Sequence, residues 1–426
     1  MREMKDSGVE WIGEIPTRWF ANKIIRCFEI IGSGTTPKSA DDSQYAGDIN
    51  WIQSGDINGG ILSNTRFRIT QEVVAATSAL KVYKAPFIVI AMYGASIGNL
   101  SISQIDACTN QACCVLSRPA EGLDFEYLFY AFKPAKDYLI WKADGGGQPN
   151  ISQDKVKGLW IPIPPIDEQI RIVDYLNLRC GQVDELVANV QAQIEKLKAY
   201  KQSLITETVT KGLDPAVPMK DSGVEWVGSI PAHWDVIKTG RLFKENNRKP
   251  FGNDTPLSLS QLDGLIATDD MKESALKTST YENWKRVELG DLILNRFKAH
   301  LGVLFAATLT GIVSFHYGVY EARRPLVPKY YEYLYHSEQY RAILGNASNG
   351  MVVGLQNLSN LNFYSTYSLC PDYEEQEAIV AYLDEKCSQI DRLIAIKQAK
   401  IAKLEQYKRS LIYEYVTGKK EVPAHT

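Results

Sequence analysis

The chain has 426 residues, 45% of them hydrophobic and 23% charged, which is enough apolar material for two or three domains with buried cores. Its formal net charge of −3 excludes a uniformly basic protein that coats nucleic acid. A DNA-binding protein whose basic residues are confined to local surfaces remains compatible with this balance.

The cysteines and the first residues indicate the compartment. Seven cysteines, an odd number without a CxxC pair, are typical of reduced intracellular thiols. The cluster Cys108, Cys113 and Cys114 predicts a buried strand, and we expect no metal site there. The first residues, MREMKDSGVEW, lack the apolar segment of a signal peptide, and no apolar run reaches about 18 residues. These features predict a cytoplasmic protein that does not span a membrane.

The chain repeats itself, beginning with a tryptophan motif. Residues 4–19, MKDSGVEWIGEIPTRW, recur at 219–234 as MKDSGVEWVGSIPAHW, and twelve of the sixteen positions are identical. The segment 212–218, which contains Gly and Pro, predicts a linker before the second copy. We expect the motif's tryptophans to anchor the start of each domain in its core: Trp11, Trp19, Trp226 and Trp234.

The first variable region, 20–160, is predicted to be α/β. Residues 86–93 and 112–116 are short apolar runs that predict strands. Residues 125–143 predict a helix broken at Pro134, because proline removes a helical hydrogen bond. A glycine turn at 145–150 then leads towards the long helix.

The second variable region, 235–368, repeats this order with other residues. Strands are predicted at 291–297, 302–307 and 311–322, and a helix at 330–344. Residues 349–351 and 356–358 occupy the place of the first glycine turn. The two regions are therefore predicted to share one fold that carries two different surfaces.

Each half ends in a long predicted helix, at 165–213 and 371–419, and the two are offset by 207 residues (Glu168 to Glu375). About 44 residues at ~1.5 Å each predict a rod of roughly 65 Å. Apolar residues three and four apart predict a seam for pairing with another helix, against the alternative of two ordinary core helices. The seam comprises Val183, Val187, Val190, Ile194, Leu197 and Leu204 in the first helix and Ile390, Ile394, Ile401, Leu404 and Leu411 in the second.

The sequence shows no convincing catalytic constellation. It has no GxxxxGK[ST] loop, no Asn-Pro-Pro-aromatic or Asp-Pro-Pro-Tyr element of an amino-methyltransferase, and no HExxH among its five histidines. Pro371-Asp372 followed by Asp384-Glu385-Lys386 loosely fits a nuclease pattern. The first half has Asn177 and Arg179 in the same helical context, so this match is interpreted as part of a charged helix face. We therefore predict no catalytic residue and no cofactor on this chain.

The variable regions do offer side chains that contact bases and phosphates. On predicted loops or strand ends of the first region these are Thr35, Thr36, Lys38, Tyr93, Ser96, Asn110, Gln111, Gln148 and Asn150. In the second region they are Arg248, Lys249, Ser260, Gln261, Arg296, Lys298, His300, His316 and Tyr317. Basic and acidic residues nearly balance in both regions, 14 against 14 in 11–160 and 15 against 13 in 226–370. Any positive DNA-facing surface must therefore arise from local geometry.

Taken together, these repeats resemble the specificity subunits of type I restriction–modification enzymes over nearly the whole chain. The resemblance rests on the doubled VEWxGxIPxxW motif, on the steps into the helices (IPIPPIDEQIRIVDYL and PDYEEQEAIVAYL), and on the helix ends SLITETVTKG and SLIYEYVTGK. One departure is Pro371-Asp372-Tyr373, which is less rich in proline than Ile163-Pro164-Pro165.

The resemblance implies two α/β (α+β) target-recognition domains in a pseudo-two-fold repeat, joined by two long antiparallel coiled-coil helices. The expected boundaries are 1–160, 161–218, 219–368 and 369–426. Each domain is expected to read one half of a bipartite target in double-stranded DNA. Two methylation subunits, and two motor–nuclease subunits in the full complex, are the implied partners. S-adenosylmethionine, ATP and Mg²⁺ would then belong to those partners.

Two other functions are compatible with parts of the sequence. A coiled-coil scaffold whose two heads bind proteins would leave no DNA footprint. A catalytically active fusion would need a metal or S-adenosylmethionine site and should be active as the purified chain.

Overall fold

The computed structural model describes residues 2–37, 45–143, 149–224, 227–261, 263–271, 281, 283–348 and 357–423. The chain forms two compact units, Met1–Val190 with Ala399–Thr426, and Gln191–Gln398. Each unit consists of one globular domain, the beginning of the long helix that follows it, and the end of the other long helix. Within the described residues, no helix combines the length and the apolarity needed to cross a membrane.

The first unit contains short strands and helices followed by a 46-residue helix that continues into the second unit. Its strands are β1 (Met4–Asp6), β2 (Glu14–Pro16), β3 (Phe20–Lys23), β4 (Phe28–Ser33), β5 (Ile49–Ile52), β6 (Ile61–Leu62), β7 (Phe67–Ile69), β8 (Phe87–Ala91), β9 (Leu100–Ser103), β10 (Ala107–Thr109), β11 (Cys113–Pro119) and β12 (Trp160–Ile163). Its helices are α1 (Gln71–Ala76), α2 (Phe125–Phe132), α3 (Lys136–Trp141), α4 (Gln153–Gly158) and α5 (Ile166–Lys211).

A five-stranded sheet in the order β4-β11-β8-β9-β6 forms the centre of the first domain, and only its β6–β9 pair is parallel. Alternate residues of β8 enter different cores because successive side chains point to opposite faces of a strand. Ile88 and Ile90 pack in the core that contains α2, while Phe87 and Val89 pack on the other side with Ile52. The sheet is thus buried on both faces, which explains the unbroken apolar run at 86–93.

The second unit repeats this order. Its strands are β13 (Met219–Asp221), β14 (Ser229–Pro231), β15 (Asp235–Lys238), β16 (Phe243–Glu245), β17 (Leu257–Ser260), β18 (Gly264–Ala267), β19 (Lys285–Val287), β20 (Leu292–Asn295), β21 (Leu304–Ala306), β22 (Gly311–Val313), β23 (Tyr317–Ala322) and β24 (Tyr367–Cys370). Its helices are α6 (Thr239–Leu242), α7 (Pro328–His336), α8 (Glu338–Asn346), α9 (Asn360–Ser365) and α10 (Tyr373–Val416).

The central sheets of the two domains have matching registers. In the second domain the order is β16-β23-β20-β21, all antiparallel. Cys113 pairs with Ala91 in the first domain, and Tyr317 pairs with Asn295 in the second, so both strands are offset by 204 residues. β4 and β16 are offset by 214, because Ile31 pairs with Leu116 in one sheet and Glu245 pairs with Tyr320 in the other. These two offsets identify equivalent positions in the two domains.

A Glu-Gln pair at the start of each long helix holds the domain that precedes it. The Trp19 indole donates to Glu168 over 2.9 Å, and the Trp234 indole donates to Glu375 over 2.8 Å. The next residue, Gln169 or Gln376, is buried and donates over 2.9 Å to the carbonyl oxygen of a proline, Pro164 or Pro371. The two paths into the helices are therefore equivalent, although the second is less rich in proline.

The buried glutamines also hold the segment that precedes α2 in the first domain and α7 in the second. Gln169 Oε1 accepts from the Asp124 backbone N–H over 2.8 Å, and Gln376 Oε1 accepts from Val327 over 2.9 Å. Trp19 and Trp234 are fully buried and Trp11 is half-buried. Trp226 lies outside the described residues. The tryptophans that are described therefore sit in or against the cores, with the helix carboxylates as polar partners of two of them.

Within each unit the two long helices run antiparallel. In the first unit, the Tyr175 ring centroid lies 4.6 Å from that of Tyr415, and Lys408 Nζ lies 2.6 Å from Asp184. In the second unit, Lys397 Nζ lies 2.5 Å from Gln193 Oε1, and Lys201 Nζ lies 2.7 Å from Asp391. The predicted seam residues all lie in α5 or α10, and each is buried or half-buried. Gly212 and Gly418 follow the two helices with φ of +76° and +70°, a left-handed conformation that favours glycine.

Several predicted elements have different bounds in the structure. The single strand predicted at 311–322 is wrong, since β22 pairs with β19 and β23 pairs with β20, with a turn between them. The helix predicted at 330–344 is two helices, because Ser337 adopts an extended ψ of 150°. The predicted break at Pro134 is confirmed by a 3-10 turn at Lys133–Ala135 between α2 and α3.

Candidate nucleic-acid interface

Three segments of the first domain leave the central sheet at the same edge, which we call the loop edge. β4 and β8 end there and β11 begins there, as the pairs Cys114–Ser33 and Cys113–Ala91 require. The segments are 34–37 after β4, 92–99 after β8, and 110–112 before β11. Loops placed by a rigid sheet in this way commonly carry binding residues.

Neutral hydrogen bonds join these segments in the first domain. Thr36 Oγ1 donates to Gln111 Oε1 over 2.7 Å, and the Trp51 indole donates to the Thr35 carbonyl over 3.3 Å. Asn110 Oδ1 accepts from the Ala112 backbone N–H over 3.0 Å, which closes the turn before β11. Burial raises the pKa of Tyr93, although its hydrogen bond with Gln111 acts in the opposite direction.

Gly34 is required where the first segment crosses the sheet. A Cβ atom built on Gly34 would lie 1.8 Å from the Thr109 carbonyl oxygen, so any side chain here would force the backbones apart. The close approach brings the segment 34–37 against the end of β10. A substitution of this glycine would therefore displace Thr35 and Thr36 from Gln111.

The structure brings most of the first domain's predicted contact residues to the loop edge. They are Thr35, Thr36, Tyr93, Ser96, Asn110 and Gln111. Asn150 lies beside the same loop, because the next residue, Ile151, donates its N–H to the Met92 carbonyl over 2.8 Å. Lys38 and Gln148 lie outside the described residues. Thr36 and Gln111 are exposed, so their remaining hydrogen-bonding capacity faces solvent.

The second domain has the same loop edge, formed by 246–250, 296–303 and 314–316. Asn246 N–H donates to the Val319 carbonyl over 2.7 Å, so the first segment continues the ladder beyond β16. Leu358 N–H donates to the Arg296 carbonyl over 3.0 Å, which repeats the Ile151–Met92 contact of the first domain. The backbone scaffold is therefore repeated down to individual loop contacts.

The side chains at this second edge are charged. Arg248 lies 2.5 Å from Asp291 and 3.0 Å from Glu321. Arg296 Nη2 lies 2.5 Å from Glu245 Oε1, which also accepts from Lys285 over 2.6 Å. Burial opposes ionisation of Glu245, but these partners outweigh it and hold its pKa below the usual range. Arg248 and Arg296 were predicted to contact DNA, and the structure gives both of them internal carboxylate partners.

Aromatic side chains complete the second edge. The His316 ring centroid lies 3.9 Å from Phe315 and 5.4 Å from Phe297, and all three rings are exposed. The sequence-based prediction included His316 but missed both phenylalanines. At the sheet offset of 204, Phe297 corresponds to Tyr93 and Phe315 to Gln111. The sequence repeats before and after them have offsets of 215 and 207, so this correspondence emerges only from the strand register.

The remaining candidates of the second domain are dispersed. Lys249 and Lys298 are exposed beside the edge, whereas Tyr317 is half-buried and its carbonyl accepts from Lys285 over 3.0 Å. Ser260 and Gln261 lie at the turn between β17 and β18, where the Ser260 hydroxyl donates to Asp263 over 3.1 Å. His300 is half-buried and packs against Gly345.

The described residues contain no group of three or more His, Cys, Asp or Glu side chains that could hold a metal ion. Burial raises the pKa of the Cys108 thiol to about 11 and that of Cys114 to about 12, which makes these thiols poor nucleophiles. Asp384, part of the loose nuclease pattern, accepts from the Tyr333 hydroxyl over 2.5 Å. Its counterpart Asn177 accepts from Tyr130 over 2.7 Å, so the position joins a domain to its helix in both halves.

Comparison with known proteins shows which family and relatives the chain is similar to. Residues 23–198 match the family model of the type I restriction modification DNA specificity domain. The chain is similar to the type I restriction enzyme MjaVIII specificity subunit of Methanocaldococcus jannaschii, at 26% identity over 70% of each chain. A second protein of that organism, provisionally named type I restriction enzyme MjaX specificity subunit, is 23% identical and aligns over 96% of this chain and 95% of its own length.

A solved structure agrees with the fold. The chain superimposes on one chain of a solved structure with a TM-score of 0.69, and the match covers 95% of this chain and 99% of that one. That structure was described as the structural basis of complex assembly and conformational transition of the type I R-M system. Their sequences are 15% identical, so this likeness concerns the fold. The matches confirm the predicted family resemblance and the predicted class of two α/β domains with two long helices.

Proposed function

We propose that this chain, which carries the DNA specificity domain of type I restriction–modification systems, is a specificity subunit that reads a bipartite DNA target. One observation carries the proposal: both domains present a loop edge on the same backbone scaffold, with different side chains on each. Such an arrangement suits two related recognition tasks with different sequence preferences. Each domain would contact one half of the target through its loop edge.

The chemistry of the first loop edge supports base recognition. Asn and Gln side chains pair with adenine edges, while Thr and Tyr hydroxyls bind phosphates or bases. Gln111 hydrogen-bonds to both Thr36 and Tyr93, so the orientation of these side chains is set before binding. Preorganised groups lose less conformational entropy on binding. The second edge instead offers two exposed lysines, Lys249 and Lys298, beside the aromatic rings.

The long helices would fix the unread spacer and dock two methylation subunits. α5 and α10 have 46 and 44 residues, rods of roughly 65–70 Å at ~1.5 Å per residue. A rigid spacer determines which turn of the duplex each domain meets. Linking two weak half-site contacts raises the effective concentration of the second. The nearly neutral domains suggest that partner subunits contribute much of the phosphate contact.

In the full complex we propose two motor–nuclease subunits as further partners. S-adenosylmethionine would bind the methylation subunits, and ATP and Mg²⁺ the motor–nuclease subunits. This chain would then act in the cytoplasm as the non-catalytic component that selects the target. Its own residues supply the two DNA contacts and the helical support between them.

The test is sequence selection with the chain co-expressed with its methylation subunit. The complex is mixed with a randomised duplex pool and S-adenosylmethionine, and bound DNA is sequenced. We expect a two-part motif with a fixed, unspecified gap. Exchanging residues 20–160 for those of a related subunit should change one half only. A stable protein complex that selects no sequence would favour the scaffold function and contradict the proposal.

A pair of point variants sharpens this test. Thr36→Ala with Gln111→Ala should lower base discrimination in one half of the motif by about 10-fold or more, since a good bidentate contact contributes ~1–3 kcal/mol. Gln104→Ala is the matched control, because Gln104 is also exposed but lies at the opposite edge of the same sheet. An equal loss in both halves would contradict the assignment of one domain to one half.

A further inference from the structure

We infer that the aromatic rings at the second loop edge stack on a base that leaves the duplex stack, at a deformable step of the second half-site. This inference rests on the proposed function. The rings are those of Phe297, Phe315 and His316, which we call the aromatic platform. The first domain contains no counterpart of this platform among its described residues.

The platform is an exposed apolar surface that the rest of the described domain leaves open. Phe297 is 40% exposed and Phe315 is 52% exposed. The Phe315 and His316 rings are inclined by 37°, and those of Phe297 and His316 by 61°. Clustered exposed apolar side chains of this kind commonly mark interaction sites.

The backbone beneath the platform is held in place. Asn295 Oδ1 accepts from the N–H groups of Phe297 and Lys298 over 3.1 and 3.2 Å. Tyr317 N–H donates to the Ser314 carbonyl over 2.9 Å and closes the turn that carries the other two rings. The Arg296–Glu245 ion pair ties the first of these segments to the sheet. The rings are therefore presented by fixed loops, which reduces the entropic cost of stacking on a base.

The chemistry differs from that of the first edge at equivalent positions. Tyr93 and Gln111, the counterparts of Phe297 and Phe315, hydrogen-bond to each other and are suited to base edges. Phenylalanine has no hydrogen-bonding group, so its contribution to DNA recognition must come from ring or apolar contact. Exposed Lys298, next to Phe297, is placed to accompany an adjacent phosphate.

Duplex DNA offers a base to such rings only where it deforms. Pyrimidine–purine steps unstack most easily, and apolar side chains of other DNA-binding proteins wedge between such base steps. Selectivity in the second half-site would then derive partly from deformability. We expect the selected motif to contain a TA or CA/TG step in that half.

The experiment uses the complex with the methylation subunit and duplexes that carry 2-aminopurine at each adenine position of the second half-site in turn. We expect fluorescence to rise on binding at one step and the rise to disappear with Phe315→Ala. That variant should bind about 10- to 100-fold more weakly, the range typical of losing one base–aromatic stack. Tyr367→Ala, which removes an exposed ring on β24 away from the loop edge, should change neither quantity.

A second variant distinguishes stacking from simple apolar contact. Phe315→Leu keeps an apolar side chain but removes the aromatic face, so binding and fluorescence should both be lost if the ring stacks. If Phe315→Leu bound DNA as tightly as the wild type, simple apolar contact would suffice and the inference would be overturned. Tight binding of this variant to thymine duplexes but not to uracil duplexes would show contact with a thymine methyl group and would also overturn it. An unchanged fluorescence at every position, with an intact two-part motif, would overturn it while leaving the proposed function standing. Failure to select any motif would instead overturn the proposed function.

Discussion

The two domains use one strand scaffold but stabilise its loop edge by different chemistry. At equivalent positions the first domain has Ile31, Met92 and Leu116, where the second has Glu245, Arg296 and Tyr320. The first set is apolar and packs in the sheet. The second set is a hydrogen-bonded group in which Tyr320 donates to Asn360 over 2.7 Å and Arg296 pairs with Glu245.

This difference shows that two unrelated side-chain sets can hold the same loops. A buried charge group contributes little net stability relative to apolar packing, because desolvation offsets most of the attraction between its members. Removing only one member of the group is nevertheless costly, since the remaining buried charges lose their partners. The second domain should therefore be more sensitive than the first to single substitutions at equivalent positions and to acid.

The largest expected effect comes from Glu245→Leu. Arg296 and Lys285 would remain largely buried without their shared carboxylate, which should lower the free energy of unfolding of the second unit by about 3–5 kcal/mol. Hydrogen exchange in urea, measured separately for peptides of each unit, would detect this. Ile31→Ala, the matched change in the first domain, removes only a half-buried side chain.

A combined replacement tests the reason for that loss. Glu245→Leu with Arg296→Met and Lys285→Met should restore most of the lost stability, because no unpaired charge remains. Since the folded pKa of Glu245 lies below its usual range, its stabilising contribution is present near neutral pH and disappears as the pH falls through that folded value. If the triple variant were as unstable as Glu245→Leu, lost packing rather than unpaired charge would be the cause.

The sequence predicted the parts of this comparison that depend on repetition. The tryptophan motif and the Glu-Gln pair recur in the sequence, and the structure shows them in contact through Trp19–Glu168 and Trp234–Glu375. The repeats and the long helices therefore follow from patterns of residue type. The register of the central sheet does not follow from such patterns. The offset between equivalent residues of the two domains falls to 204 there, because the connecting loops of the second domain are shorter. Phe297 and Phe315 were missed because the candidates were chosen as hydrogen-bonding side chains, and only the register shows that these two residues correspond to Tyr93 and Gln111.

The predicted contact residues also divided along a physical line. Thr36, Gln111 and Tyr93 were identified from the sequence as polar residues on loops, and the structure places all three at the loop edge. Arg248 was chosen because arginine pairs with guanine, but its internal partner Asp291 is 43 residues away. Side-chain type indicates what a residue can bind. Only the fold indicates whether an internal carboxylate already occupies it.

An intermediate effect is expected at Lys133 in the first domain. Burial, with a further contribution from nearby Lys408, lowers the pKa of Lys133 to about 8 from its ordinary 10.5. The shift corresponds to a destabilisation of roughly 3 kcal/mol below pH 8 at 1.36 kcal/mol per unit. Contacts of Nζ with the Phe129 and Tyr130 rings, at 4.3 and 4.9 Å from their centroids, offset ~1–2 kcal/mol of it.

Lys133→Met should therefore stabilise the first unit by about 1–2 kcal/mol at pH 7. The unfolded chain binds the proton more tightly, so wild-type stability rises relative to the variant between about pH 8 and 10.5. The advantage of the variant should shrink across that window in urea-dependent hydrogen exchange. Glu338→Met is the control in the second domain, because Glu338 is an exposed helical residue whose replacement leaves the first unit untouched. A constant difference at all pH values would contradict the electrostatic explanation.

The smallest expected effects concern two ion pairs between the long helices, one in each unit. Lys408–Asp184 and Lys201–Asp391 occupy equivalent positions at the offset of 207, with N···O distances of 2.6 and 2.7 Å. Exposed pairs of this kind contribute ~0.2–1 kcal/mol. Asp391→Asn should lower the free energy of unfolding of the second unit by that amount, and 1 M salt should remove most of the difference.

Asp184→Asn should cost the first unit more, because Asp184 also counteracts the effect of Lys408 on the pKa of buried Lys133. The excess should vanish in a Lys133→Met background. Equal costs in the two units, with no dependence on Lys133, would mean that these helix pairs are electrostatically independent of the domains beside them.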